Sequence, residues 1–223
     1  MKKDSEQTII LFGAGGHARS VIGVLRAEAR WQLGGLLDDN PPEEQTEVLG
    51  VPILGGQEQL DALRQSGIHK AMVSISNNVI RGKLAEVLRT HGFELITIRH
   101  PAACMMTECS VGEGAFLHAM SIIGPACEIG PNVIVQPFTS VGHENRIGEC
   151  VQFCPGVHVG GCVEIGDYSF FGPGSVIYPG VKIGRHVSVG ANSVIHKDVP
   201  DHAVLAGNPA RQIRAKEAAP ESA

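Results

Sequence analysis

An apolar residue recurs at every sixth position through the second half of the chain. The series runs from Val111 to Ile195, and its fifteen positions are all apolar, without an insertion. A period of six fits neither an α-helix nor a simple alternating strand. It is typical of a coil of short, flat strands joined by turns, with one hexapeptide on each side. Three sides make a turn of eighteen residues, so the array predicts about five stacked turns over residues 105–199.

The residues around each apolar position support this interpretation. The next residue is glycine in ten of the fifteen hexapeptides, and we expect it to adopt turn geometry that a side chain would resist. The position two residues before is small or β-branched, except at Asn145. Cys109 and Cys127 occupy such positions one turn apart, so we expect them to stack in the core. The six cysteines include no CxxC pair, and we predict that they are reduced and hold no metal.

The first hundred residues alternate short apolar runs with amphipathic stretches, which predicts a small parallel sheet. Predicted strands are Thr8–Phe12, Leu33–Leu37, 71–75 and 95–98. The first is followed by Gly13-Ala14-Gly15-Gly16-His17, a glycine turn that opens a helix and whose N–H groups can hold phosphate. Ser76-Asn77-Asn78 predicts the start of a helix that continues through Thr90.

A dinucleotide-binding dehydrogenase is one alternative for this unit. Asp38 lies about where an acidic residue would hold a ribose. However, the unit has room for only about four strands, and no hydride-acceptor domain follows it. We therefore disfavour the dehydrogenase.

Charge and hydropathy narrow the class of protein further. The net charge is −5, and no run of lysines or arginines occurs, which disfavours a nucleic-acid or anionic-membrane surface. No apolar stretch reaches the roughly 18 residues of a membrane helix, and no signal peptide is visible. We expect a soluble, cytoplasmic protein.

The chain resembles one family of hexapeptide-repeat acyltransferases, the sialic acid O-acetyltransferase and UDP-4-amino-sugar N-acetyltransferase family. The resemblance is carried by the Gly13–His17 turn, the strand ending in Asp38-Asp39, the Asn77-Asn78-x-x-Arg81 segment and the hexapeptide array. It covers the chain from about Ile9 to Arg214.

The resemblance implies a Rossmann-like α/β domain at 1–100 that binds a nucleotide-linked sugar, and an all-β left-handed parallel β-helix at 101–214. The composition of residues 215–223 predicts a disordered tail. By resemblance, the glycine turn would cradle a pyrophosphate, and two carboxylates would lie near the base or ribose. The implied substrate-binding residues are Gly13, Gly15, Gly16, His17, Asp38, Asp39, Asn77 and Gln136. Arg81 serves either the substrate or the contact between the domains.

His143 is the candidate general base. Acyl transfer from a thioester needs a proton acceptor and a donor for the oxyanion, and an imidazole accepts protons near neutral pH. Glu144 follows it and could orient the ring, and the pair matches the catalytic His-Glu pair of the family. Gly161 lies eighteen residues further on, so we expect it directly above His143, with its N–H near the acyl carbonyl.

Two positions depart from the family pattern. Gln136 stands where relatives commonly have asparagine, and Gln152 where they commonly have histidine. Both keep hydrogen-bonding capacity, and we place Gln152 with Gly161 and Arg211 among the candidate acyl-CoA-binding residues. By resemblance, coenzyme A lies in a groove between subunits of a homotrimer. The further candidates for its phosphates are Lys182, Arg185 and His186.

We therefore predict an acetyl-CoA-dependent N-acetyltransferase that acts on a nucleotide-linked amino sugar and uses no metal. O-acetylation of a sialic acid or related sugar is the alternative, because the same base serves either nucleophile. A metalloenzyme resembling the γ-class carbonic anhydrases is disfavoured, since no two histidines lie closer than six residues apart. A non-catalytic binding protein also remains open if Gln136 and Gln152 have disabled the site.

Overall fold

The computed structural model describes residues 7–41 and 44–215. The chain forms a parallel sheet flanked by helices and then a long stack of two-residue strands, so both predicted architectures are confirmed. None of the described helices has the length and apolar character needed to cross a bilayer.

The N-terminal unit is built on a central strand that is buried along its whole length. Its elements are β1 (Thr8–Phe12), α1 (Gly16–Glu28), β2 (Gln32–Leu37), β3 (Glu47–Val48), β4 (Val51–Pro52), α2 (Leu60–Gln65), β5 (Lys70–Val73), α3 (Asn78–Thr90) and β6 (Glu94–Leu95). The parallel sheet has the order β2-β1-β5-β6. Strand β2 pairs with one edge of β1, and β5 pairs with the opposite edge of β1. The crevice between the carboxyl ends of β1 and β5 is thus a topological switch point, where open α/β sheets bind ligands.

The second unit is a three-sided parallel β-helix, and it is left-handed, as the resemblance implied. The first face contains β7 (Ile98–Arg99), β10 (Phe116–Leu117), β13 (Ile134–Val135), β16 (Gln152–Phe153), β19 (Phe170–Phe171), β22 (Ser188–Val189), β24 (Ala203–Ala206) and the antiparallel β25 (Arg211–Ala215). The second face contains β8 (Cys104–Met105), β11 (Ile122–Ile123), β14 (Ser140–Val141), β17 (His158–Val159), β20 (Val176–Ile177) and β23 (Val194–Ile195). The third face contains β9 (Ser110–Val111), β12 (Glu128–Ile129), β15 (Arg146–Ile147), β18 (Glu164–Ile165) and β21 (Lys182–Ile183).

The β-helix has about six turns rather than the five predicted. Its first strand, Ile98–Arg99, pairs with Phe116–Leu117 and precedes the apolar series. The period conceals this start because Arg99, at the sixth position of the first turn, is charged and exposed. The fourth strand of the N-terminal sheet, predicted at 95–98, is confirmed as β6, which pairs with β5. Its bounds differ, because β6 ends at Leu95 and Ile98 begins the first strand of the β-helix. The division at residues 100 and 101 stays a prediction.

Glycine follows the buried aliphatic residues for a different reason from the turn geometry that the sequence analysis expected. None of those that follow the buried aliphatics has a positive φ. A Cβ on Gly124 would lie 2.6 Å from Gly142 O, and one on Gly142 would lie 2.7 Å from Gly160 O, both one turn above. Close approach to the next turn therefore excludes a side chain. The left-handed corner lies two residues later, where side chains such as Glu144 (φ 55°) and Cys162 (φ 57°) are tolerated.

Asn145 is a buried polar residue whose side chain finds hydrogen-bond partners within the β-helix. Asn145, the departure from the small-residue rule, is fully buried. Its side-chain amide donates to Gly160 O at 3.0 Å and its oxygen accepts from Val163 N at 2.7 Å. Cys127 is buried and Cys109 is half-buried, consistent with their predicted stacking. Of the predicted tail, Ala215 ends β25, and residues 216–223 lie outside the described residues.

The N-terminal unit packs on the first face of the β-helix. Phe116 and Ile134, whose side chains point outward from that face, join the apolar core beneath α1. Arg81 of α3 is 1% exposed, and its Nε and Nη2 donate across the junction to Asn132 O and Cys150 O, each at 2.8 Å. Its remaining N–H groups donate to Ile75 O, Ser76 O and Asn78 Oδ1. All five guanidinium N–H groups are thus satisfied, and Arg81 serves the contact between the units.

Candidate active site

His143 and Glu144 lie on the corner between the second and third faces, because they follow strand β14 directly. The left-handed backbone at Glu144 turns its carboxylate back toward the ring. Nδ1 of His143 is 2.8 Å from Oε2 of Glu144, and both side chains are more than half exposed. A carboxylate accepts the Nδ1–H and leaves the Nε2 lone pair free, so the pair has the arrangement of an oriented base.

Gly161 lies one turn above His143. The register pairs Ser140 with His158 and Val141 with Val159, which stacks residues eighteen apart. A Cβ on Gly161 would lie 2.6 Å from Cε1 and 2.9 Å from Cδ2 of the His143 ring. The imidazole therefore rests against the bare main chain of Gly161, as predicted.

The backbone N–H of Gly161 is available as a donor. The equivalent corner position, two residues after a buried aliphatic, is proline in six hexapeptides: Pro125, Pro131, Pro137, Pro155, Pro173 and Pro179. At Glu149 and Arg185 the N–H of this position donates to an aspartate side chain of the next turn, at 2.9 Å each. Among the described residues, Gly161 N makes no hydrogen bond. An N–H held there without a partner can stabilise an oxyanion.

The glycine turn lies at the switch point of the sheet, and its role as an anion cradle stays a prediction. Gly13 has φ +115°, and a Cβ there would lie 2.5 Å from Ile75 Cγ1 and 3.0 Å from Ser74 O. Asp38 Oδ2 accepts from Ala14 N at 2.8 Å and braces the turn. The helix that follows begins at Gly16 without a side-chain cap, so its first N–H groups are open to an anion.

Two other predicted substrate residues have structural partners within the chain. Asp39 accepts from both the backbone N (2.8 Å) and the side-chain Nε2 (2.7 Å) of Gln57. Asn77 caps α3 by accepting from Ile80 N at 3.0 Å. Both residues thereby shape the loops at the carboxyl edge of the sheet.

His17 lies in an apolar junction between the glycine turn and the first turns of the β-helix. Its ring meets Phe116 edge-on at 5.3 Å. Burial, with smaller contributions from Arg81 and His118, lowers the pKa of His17 to about 4. Its Nε2 is buried and has no hydrogen-bond partner among the described residues. His17 is therefore neutral at physiological pH.

Gln136 and Gln152 do not lie on the same corner of the β-helix as His143 of the same chain. Gln136 follows β13 at the corner between the first and second faces. Gln152 lies in β16 on the first face, is 5% exposed, and its buried Oε1 has no partner among the described residues. It lines a cleft of about 420 Å³ shared with Ser76, Asn77, Asn78, Val79, Tyr168, Phe170 and His186. Gln152 thus faces the N-terminal unit.

Three of the four candidate phosphate ligands already have partners. Lys182 pairs with Glu164 at 3.2 Å, Arg185 pairs with Asp201 at 3.5 Å, and His186 stacks between two other rings. Arg211 is exposed and lines a cleft of about 240 Å³ with His196 and Lys197.

Lys197 is a further candidate for binding the phosphates of coenzyme A that the sequence analysis did not name, because it is exposed and lines the same cleft as Arg211. Steps of eighteen from His143 lead to Gly161, Pro179 and Lys197 on one corner. At about 4.8 Å per turn, the lysine lies about 14 Å above the candidate base. The eighteen-residue step that predicted Gly161 could have found it.

Comparison with known proteins confirms the resemblance. Residues 8–88 match the PglD N-terminal domain, and residues 108–143, 146–178 and 169–197 match the bacterial transferase hexapeptide (six repeats). PerB from Caulobacter crescentus, solved in complex with CoA and GDP-perosamine, is 34% identical with a TM-score of 0.87, and the alignment covers 92% of this chain and 96% of PerB.

Two further proteins are similar. The acetyltransferase domain of PglB from Neisseria gonorrhoeae FA1090, in complex with acetyl coenzyme A, is 28% identical with a TM-score of 0.86 over 93% of this chain and 99% of that domain. A GDP-perosamine N-acetyltransferase of Escherichia coli O157:H7 is 31% identical over 111 residues, which are 48% of this chain and 49% of that enzyme. The match thus spans about half the length of this curated relative. From its whole-length likeness to PerB and its two matched domains, the chain belongs to the family of hexapeptide-repeat, acetyl-CoA-dependent sugar acetyltransferases with a PglD-type N-terminal domain.

Proposed function

We propose that the protein transfers the acetyl group of acetyl-CoA to the amino group of a nucleotide-linked amino sugar, with His143 as the general base. The observation that carries the proposal is the contact between the His143 ring and Gly161. It places an exposed proton acceptor beside a backbone N–H that has no hydrogen-bond partner among the described residues. The named ligand of PerB favours a GDP-linked sugar such as GDP-perosamine.

The geometry supports a direct transfer. The Glu144 carboxylate holds the Nδ1–H of His143, so Nε2 accepts a proton from the sugar amine as its nitrogen attacks the thioester carbon. The Gly161 N–H stabilises the oxyanion of the tetrahedral intermediate. The C–S bond then breaks, and the departing thiolate takes the proton from the imidazolium. The products are the N-acetyl sugar and free coenzyme A.

The N-terminal unit supplies the nucleotide site in this proposal. The cradle at Gly13–Gly16 and its Asp38 brace lie at the switch point of the sheet. Pyrophosphate charge is stabilised by the open N–H groups of α1. Gln152 and Asn77 line one cleft beside this unit, which favours a role for Gln152 toward the acceptor sugar.

The placement of these parts supports a homotrimer, the assembly that the resemblance implies. The N-terminal unit packs on the first face, whereas His143 lies on the corner opposite that face. A sugar held by one subunit is thus best presented to the His143 of a neighbour. Met120, Ile122 and Phe138 expose apolar side chains on the corner between the first and second faces and beside it, where a neighbouring copy would cover them. The six free cysteines and the use of acetyl-CoA favour the cytoplasm.

A nucleotide screen tests the substrate class. GDP, UDP and dTDP are compared for their effect on the melting temperature of the purified protein, and amino sugars carrying the stabilising nucleotide are then assayed for coenzyme A release. We expect GDP to stabilise most, and the product to carry one N-acetyl group by mass spectrometry. Stabilisation by none of the nucleotides, with turnover of a free hydroxyl sugar, would contradict the proposal.

A further inference from the structure

We propose that His143, Glu144 and Cys162 form a binding site for a thiophilic divalent metal ion such as Zn²⁺, and that occupancy of the site inhibits acetyl transfer. One imidazole nitrogen, one carboxylate oxygen and the Cys162 sulfur all lie within 4.8 Å of one another. This grouping combines the three ligand types that Zn²⁺ uses in proteins.

The fold assembles these donors by the eighteen-residue step. Glu144 and Cys162 occupy the same left-handed corner on successive turns, with φ angles of 55° and 57°. Their side chains therefore project from one edge of the prism, and Cys162 Sγ lies 3.8 Å from Glu144 Oε2. The same carboxylate oxygen is 2.8 Å from His143 Nδ1. Cys162 N also donates to His143 O at 2.8 Å, which ties the two turns together at this point.

The site is accessible and can adjust to an ion. All three side chains are exposed, so their rotamers can close to bond lengths of about 2.0–2.3 Å. The residues next in the corner ladder are Ala126 below and Gly180 above, and neither has a side chain that would cover the donors. Three protein ligands leave a fourth position for water. Binding releases the thiol proton to solvent, because the thiolate is the ligand.

A metal ion bound at this site would prevent His143 from acting as the general base. This part of the inference rests on the proposed function. A metal ion bound at Nδ1 displaces the Glu144 hydrogen bond and leaves the ring proton on Nε2. The imidazole then has no lone pair for the amine proton, and the positive charge of the ion opposes an imidazolium. The sulfur selects soft or borderline ions over Mg²⁺.

Cobalt(II) spectroscopy tests the site without any substrate. We expect one equivalent of Co²⁺ to produce a thiolate-to-cobalt charge-transfer absorption in the wild type. Cys162→Ser should abolish it, whereas Cys104→Ser, which changes an exposed cysteine on the second face, should retain it. An absent band, or one that survives in Cys162→Ser, would overturn the site.

Inhibition is measured separately with Zn²⁺, by chromatography of the acetylated sugar. With each rate taken relative to the variant's own metal-free turnover, we expect Cys162→Ser to need at least about tenfold more Zn²⁺ than Cys104→Ser for half-inhibition. Equal sensitivity of the two variants would overturn the inhibitory role. Failure of His143 as a base would show differently, as unchanged turnover of metal-free His143→Ala.

Discussion

The imidazole of His143 occupies the space that a side chain on Gly161 would take, since a Cβ there would lie 2.6 Å from Cε1 of the ring. The glycine leaves room for the base and supplies a free N–H next to it. The eighteen-residue turn of the β-helix thus places the proposed base, His143, beside the proposed oxyanion donor, the N–H of Gly161.

Gly161→Ala should lower kcat by about 10²–10³-fold, comparable to removal of an oxyanion donor. The added methyl would push the exposed ring outward and separate it from the donor. Because the backbone of Gly161 is not left-handed, we expect the melting temperature to change little. Gly190→Ala is the matched control, since its Cβ would meet other atoms only at 3.4 Å or more. Equal kinetics of the two variants would disprove the steric argument.

Arg81→Lys should destabilise the protein by about 3 kcal/mol or more, measured by urea unfolding at one protein concentration. The change leaves buried carbonyls such as Asn132 O and Cys150 O without their donors. Burial lowers the pKa of Arg81 only to about 10, so the wild-type charge persists at neutral pH. The control Arg89→Lys, in a partly exposed ion pair with Glu113, should cost no more than about 1 kcal/mol. Similar losses in both variants would contradict the interface role.

The free energy of unfolding should depend on His17 between pH 6.5 and 4. The folded-state pKa of about 4 lies below the usual 6.5, so the unfolded state takes up the proton first. Stability is therefore full above pH 6.5 and falls as the pH drops toward 4. Linkage gives a loss of about 2 kcal/mol from pH 7 to 5. We expect His17→Phe to show a correspondingly smaller loss over this interval, and an identical pH profile would count against the buried neutral state.

Lys197→Ala should raise the KM for acetyl-CoA by about three- to tenfold without changing kcat. An exposed cation on the corner above His143 contributes about 1 kcal/mol to an anionic cofactor. Lys182→Ala is the control, because that lysine is paired with Glu164 on the third face. If Lys182→Ala has the larger effect, coenzyme A follows the third face instead.

Much of the β-helix was predictable because burial repeats with the period of the sequence. Its start was not, since Arg99 places a charged, exposed residue at the sixth position of the first turn. The stacking of His143 and Gly161 followed from the same period. The role of Arg81 could not be decided, because its acceptors on Asn132 and Cys150 are brought together only when the two units pack. Gln152 was placed with the acyl donor, yet its side chain faces a cleft of the N-terminal unit, which sequence spacing alone does not reveal.

The central claim is that His143 removes the proton from the acceptor amine. The most direct measurement is metal-free, single-turnover acetyl transfer by His143→Ala compared with His158→Ala, a histidine of the second face that is hydrogen-bonded to Ser140. We predict a rate about 10²–10⁴-fold lower for His143→Ala, with acetyl-CoA binding retained, and a near wild-type rate for His158→Ala. A wild-type rate in His143→Ala would contradict the account.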